Sequence, residues 1–139
     1  MLAVPHQFHV LVVDDEPPLR EIMADALTAE GYRVTTAGNG AEALERLADD
    51  RPDLIVLDLR LPVLDGWTFI DRFRALAGAE VPIISVSAAM SQLTADHLRQ
   101  LGVRVCLSKP FDLADFLEGV AHVLGVAPAR LGAPSPPLG

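Results

Sequence analysis

The chain has 139 residues, half of them apolar, with 11 basic against 19 acidic residues and a formal charge of −8. That length and apolar content indicate one folded domain and exclude a disordered chain, and the acidic balance argues against non-specific nucleic-acid binding, which depends on neutralising phosphates. The single cysteine, Cys106, rules out an intrachain disulfide and fits a reducing compartment; no apolar run approaches the roughly 20 residues of a membrane span, and MLAVPHQFHV lacks the pattern of a signal peptide, so a cytoplasmic, non-membrane protein is expected.

His9–Val13 is the first apolar run, valine-rich and too short for a helix. Pro17 and Pro18 suit the first turn of a helix; Leu19, Ile22, Met23, Ala26 and Leu27 then recur at helical spacing as its inner face, and Gly31 stops it. Tyr32–Ala37 alternates like a strand with one face less buried, at a sheet edge. Asn39 caps a second helix with Ala43, Leu44 and Leu47 inward. Leu54–Leu57 is unbroken aliphatic, as in a central strand buried on both faces. The loop Leu59–Gly66 carries the turn formers Pro62 and Gly66, and a third helix follows with Phe69, Ile70 and Phe73 inward. Ile83–Val86 is the fourth strand, Ser91–Leu101 a more polar helix ending at Gly102, and Val103–Leu107 the fifth strand. Asp112 caps a last helix with the stripe Leu113, Phe116, Leu117, Val120 and Leu124. Asp65 is a further cap candidate, Met23 a core residue and Trp67 a helix-face packing residue. The histidines His6, His9, His97 and His122 lack metal-ligand spacing and are expected at surface or edge positions.

Five strand–helix pairs, joined throughout by helices, predict a parallel α/β sheet between helix layers with right-handed crossovers. Residues 1–7 form an N-terminal extension, 8–125 the domain, and 126–139 a Pro-rich tail or linker. Such a sheet brings its carboxyl strand ends to one rim, where open α/β sheets bind ligands. Asp14 and Asp15 follow VLVV, Asp58 follows LIVL, Ser87 follows VPIISV, and Lys109 precedes Pro110. Three carboxylates, an ammonium and a hydroxyl at one rim suit a divalent cation and a phosphoryl group. Taken singly these residues have ordinary readings: Asp14–Asp15 as helix caps, Asp58 as a loop acid, Ser87 as a turn serine, Lys109 as a surface cation. Their convergence carries the functional reading.

The Asp-Asp pair, the lone Asp58, Ser87-Ala88 and Lys109-Pro110-Phe111 together resemble the receiver domain of two-component response regulators, over roughly residues 8–125. D-L-R-L-P-V-L-D-G (Asp58–Gly66) and N-G-A-E-A-L (Asn39–Leu44) resemble further segments of that family. The resemblance implies a flavodoxin-like, doubly wound (βα)5 sheet of order 2-1-3-4-5 and a cis Lys109–Pro110 bond. It implies that Asp58 accepts a phosphoryl group from a sensor histidine kinase or phosphotransfer protein. Asp15, Asp58 and the Arg60 carbonyl would ligate Mg²⁺ directly, and Asp14 through a metal-bound water. Lys109 would pair with one phosphoryl oxygen and Ser87 would donate a hydrogen bond to another. The face formed by the fourth helix, fifth strand and fifth helix would dock a downstream protein target or a second copy, with no direct nucleic-acid contact. The chain would be a stand-alone receiver, or one whose tail leads to an output domain.

Two positions depart from the family pattern. Cys106 stands where the family carries an aromatic three residues before the lysine, and it is too small to repeat an aromatic packing change. Signalling is therefore expected to rely on the Ser87 loop and the helix Ser91–Leu101. Arg60 is expected to alter the lifetime of the phosphoaspartate. The alternative is an aspartyl-phosphate phosphatase or phosphotransferase of the haloacid dehalogenase type; such enzymes need a second acid where Arg60 stands. A flavodoxin would need a phosphate loop that Asp-Asp-Glu-Pro-Pro would repel, and no G-x-x-x-x-G-K is present. The chain is thus expected not to be an enzyme beyond its own phosphorylation and dephosphorylation.

Overall fold

Five short aliphatic runs form one parallel sheet in the order β2-β1-β3-β4-β5, as the resemblance implied. In chain order the elements are β1 (His9–Val13), α1 (Pro17–Ala29), β2 (Arg33–Ala37), α2 (Gly40–Asp49), β3 (Leu54–Asp58), α3 (Gly66–Ala77), β4 (Ile83–Ser87), α4 (Gln92–Gln100), β5 (Val103–Ser108) and α5 (Leu113–Leu124). This computed structural model describes residues 7–60, 65–77, 81–88 and 92–126. His6, the rest of segment 1–6, the predicted turn at Pro62, the start of the predicted fourth helix at Ser91 and the tail from 127 onward lie outside the described residues.

Alternation along each inner strand feeds two cores. Leu11, Val13, Ile55, Leu57 and Ile83 face one side, where Ala43 of α2, Phe69, Ile70 and Phe73 of α3 and Leu98 of α4 cover them. Val10, Val12, Leu54, Val56, Ile84 and Val86 face the other, under Met23, Ala26 and Leu27 of α1 and Phe116, Leu117 and Val120 of α5. The period of two in the strands and about 3.6 in the helices makes this division possible. β1, β3 and β4 are buried along their whole length, while β2 at the edge is partly exposed. Between β4 and β5 the register steps over Arg104, pairing Ile83 with Val103 and Ile84 with Val105.

Local signals account for most helix starts. Asn39 Oδ1 accepts the Glu42 N–H at 2.8 Å, and Asp65 Oδ1 accepts the Thr68 N–H at 2.9 Å. Each satisfies a donor that a helix start leaves open. Asp112 occupies the N-cap position of α5, but its side chain makes no cap hydrogen bond, a correction to the sequence reading. Ile22, predicted inward, is 51% exposed. It lies at the margin of a stripe that Met23, Ala26 and Leu27 already fill.

His9 is the larger correction. Predicted at a surface or edge, it is only 3% exposed. Its Nε2 lies 2.7 Å from Thr35 Oγ1 and its backbone N–H donates to Asp53 Oδ2 at 2.8 Å. These groups meet Nε2 and the backbone N–H where β1 sits between β2 and β3, while the buried Nδ1 makes no hydrogen bond and lies 3.8 Å from Asp50 Oδ2. His122 is exposed, and His97 stacks on Trp67 with ring centroids 5.2 Å apart, joining α4 to α3.

Candidate functional site

The carboxyl ends of β1, β3, β4 and β5 meet at one rim, and each brings a polar residue there. Asp14 directly follows β1, its N–H still bonded to Ala37 O at 3.1 Å beside β2. It is fully buried. Its Oδ1 accepts the Glu16 N–H at 2.8 Å, an Asx turn that bends the chain into α1 at Pro17. Its carbonyl accepts from Arg20 Nη1 at 2.7 Å. Asp58, the last residue of β3, is 3% exposed, and its Oδ1 accepts the Arg60 N–H at 2.9 Å. Ser87 closes β4 and is buried; its carbonyl accepts the Lys109 N–H at 2.6 Å, tying the end of β5 to that of β4. The Lys109–Pro110 peptide is cis, as the resemblance implied.

Lys109 is the hub. Its Nζ lies 2.8 Å from Glu16 Oε1, 2.9 Å from Asp58 Oδ2 and 3.1 Å from Asp14 Oδ2. Carboxylate oxygens of Asp14, Glu16 and Asp58 all lie within 4.8 Å of one another. Three carboxylates against one ammonium leave two negative charges in excess (3 − 1). Burial would lower the Lys109 pKa, but hydrogen bonds to Glu16 and Asp58 and the close Asp14 carboxylate outweigh it and hold the ammonium well above its ordinary range. Burial raises the Asp14 pKa, against the Glu16 N–H and Lys109, and the Asp58 charge adds to the rise. The two shifts are consistent, since one cation cannot compensate three anions. Asp14 Oδ2 also makes no aligned hydrogen bond although it is buried.

An open cleft of about 330 Å³ lies over this cluster, lined by Asp15, Glu16, Asp58, Arg60, Ala88 and Lys109. Of the residues singled out from sequence, Asp14, Asp58 and Lys109 are in direct contact, and the Arg60 N–H touches Asp58. Ser87 stands at the same rim. Asp15 is exposed on the cleft wall and outside the close triad of oxygens. The sequence reading missed Glu16. Its only sequence signal is adjacency to the Asp-Asp pair, and its contact spans 93 residues to Lys109.

The donor set fits a hard divalent cation. It is all oxygen, carries excess negative charge, and includes a buried oxygen without an aligned partner. Cys106 is partly buried and packs against the core beneath α3 and α4.

Comparison with known proteins gives consistent matches. The sequence model of the family described as "Response regulator receiver domain" matches residues 10–121. The chain is 39% identical over 115 residues to the response regulator MprA of Mycobacterium ulcerans, covering 83% of this chain and 49% of that protein. It is 36% identical over 104 residues to the sensor histidine kinase RcsC of Escherichia coli, covering 75% of this chain and 11% of that protein. The chain thus spans about half of one relative and a small part of the other. Among solved structures, the chemotaxis response regulator CheY4 of Vibrio cholerae superposes with a TM-score of 0.79 at 29% identity, covering 85% of this chain and 99% of that one. The receiver domain of the Francisella response regulator 1452 gives 0.79 at 27% identity, covering 86% and 98%.

Proposed function

Because this chain belongs to the family of response regulator receiver domains, we propose that residues 8–125 act as a switch operated by phosphorylation of Asp58. The observation that carries the reading is the contact of Asp58 Oδ2 with Lys109 Nζ at 2.9 Å, inside a cluster with excess negative charge. The phosphoryl donor is the phosphohistidine of a sensor kinase or phosphotransfer protein. An Asp58 oxygen forms the new O–P bond, the N–P bond breaks, and its electron pair stays on the donor imidazole, which takes up a proton.

This chain's residues supply the positioning and the charge. The Arg60 N–H orients the Asp58 carboxylate through Oδ1. Lys109 offers a compact positive charge to the transferring group, and Ser87 supplies a hydroxyl donor at the rim. Asp14, Asp15, Asp58 and the Arg60 carbonyl are the residues that would hold Mg²⁺; when bound, the cation offsets the repulsion between an anionic nucleophile and an anionic phosphoryl group. Asp15 is exposed and free to turn toward the cleft it lines. Hydrolysis of the acyl phosphate resets the switch, so the domain modifies itself rather than turning over substrate. The outer side chain of Arg60 tunes that lifetime.

Phosphorylation shifts an equilibrium between two arrangements of the α4–β5–α5 face, which docks a downstream protein or a second copy. With Cys106 in place of an aromatic, the Ser87 loop and α4 carry the change. The site works in the cytoplasm.

Incubation with a small phosphodonor and Mg²⁺, followed by intact-protein mass spectrometry, tests the reading. The expected result is one phosphoryl per chain, slowly lost, and none on Asp58→Asn. Turnover of many equivalents of donor would favour a phosphatase instead.

A further inference from the structure

An ammonium has three N–H donors and no acceptor. Around Lys109 three carboxylates stand within 3.1 Å: Glu16, Asp58 and Asp14. Two of its donors are committed to Glu16 and Asp58, and the ammonium also faces Asp14 Oδ2 as an ion pair, before any phosphoryl group arrives. A phosphoryl oxygen that approaches Lys109 therefore competes with these carboxylates for the ammonium.

The three are not equally free. Asp14 is fully buried, and its Oδ1 is held by the Glu16 N–H. Asp58 is buried, held by the Arg60 N–H, and is itself the group to be modified. Glu16 is 58% exposed at the mouth of the cleft, and only its side chain needs to turn away, since its N–H stays on Asp14. Solvent on the Glu16 side of the pair screens and weakens it.

We propose that Glu16 is a positioning residue that occupies, in the unmodified protein, the Lys109 donor taken over by a phosphoryl oxygen after transfer. It acts as a stand-in anion. It keeps the Lys109 ammonium partnered and aimed into the cleft, and it competes with the incoming group for that donor. This rests on the assignment of Asp58 as the acceptor.

The test compares the wild type with Glu16→Gln, Glu16→Ala and Glu16→Asp, each at its own saturating Mg²⁺ concentration, because Glu16 belongs to the acidic triad. Two quantities are measured: the phosphorylation rate with a small phosphodonor, and the affinity for beryllofluoride, a phosphoryl mimic, by calorimetry. Glu16→Gln and Glu16→Ala are expected to bind the mimic about fivefold more tightly and react about fivefold faster, the scale of one exposed charge-assisted contact. Glu16→Asp keeps the charge but draws it one methylene back from Lys109, and is expected to move the same way. Unchanged or weaker binding in Glu16→Gln and Glu16→Ala overturns the proposal. So does a Glu16→Asp protein equal to the wild type while the neutral variants are faster, because the effect would then be one of net charge. A wild type that takes up no phosphoryl group while the fold is intact overturns both this inference and the assignment of Asp58.

Discussion

At Asp14 burial opposes ionisation at a single residue. Its folded-state pKa lies above the ordinary value of 3.8, chiefly through burial. A raised acid pKa means that the contribution is favourable below the unfolded value and is lost as pH rises through the folded value. Ionised Asp14 therefore weakens the fold at neutral pH. Asp14→Asn is expected to stabilise the protein at pH 7 by about 1 kcal/mol, or roughly 4 °C in Tm. The gain should shrink toward zero as pH falls about a unit below the unfolded value of about 3.9, where Asp14 is protonated in both states, and phosphorylation should slow. Thermal melts across that pH range check this; a constant gain at every pH would contradict it. The meeting of Asp14, Asp58 and Lys109 at one rim was legible because each sits at the end of an apolar run. Glu16 was not, since an acid in a loop acquires meaning only from the distant lysine it touches. The burial of His9 was hidden for a similar reason: its partners Thr35 and Asp53 come from other strands and loops.

At the level of elements, α3 holds the end of α4 through backbone carbonyls as well as side chains. Arg74 of α3 donates to Leu101 O through Nε at 3.3 Å and Nη2 at 3.0 Å, and to Val81 O through Nη1 at 3.1 Å. Its guanidinium also lies 5.2 Å from the Phe73 ring centroid. The clamp closes over Gly102, whose φ is +93° and whose missing Cβ would run into Arg74 Nη2. Gly102→Ala is therefore expected to cost about 2–3 kcal/mol, combining backbone strain with loss of the clamp. Gly31→Ala serves as the comparison: φ is +97° with nothing near the added Cβ, so only the backbone term of about 1 kcal/mol applies. Chemical denaturation of the two variants measures the difference, and equal losses would remove the clamp from the account. Sequence periodicity located α3 and α4, yet it gave no sign of Arg74, because its partners are backbone carbonyls that every residue possesses. The Ile22 error has the opposite origin: helical spacing overstated the width of the buried stripe.

For the whole molecule, the proposed cation site in the acidic cluster at the rim would couple cation binding to folding. The unfolded chain does not assemble these oxygens, so a cation that binds them stabilises the native state by mass action. Mg²⁺ at about 100 times its dissociation constant is expected to add about 2.7 kcal/mol, near 10 °C in Tm. A chelator should reverse the shift, and Asp58→Ala should lose most of it. Calorimetry with and without the cation checks this, and a Tm indifferent to Mg²⁺ would count against the site. Parallel order and helix layers were legible from the alternation of elements, while the strand order came from resemblance, because periodicity cannot say which strands are neighbours. The step over Arg104 also bears on how copies of this protein meet. β5 is an outer strand, and a regular outer strand is a template on which a second sheet can grow. Here the ladder is interrupted and a cation stands exposed at the interruption. Concentrated protein should accordingly resist fibrillar stacking through this margin, and copies that associate should do so through side-chain surfaces rather than by extending the sheet.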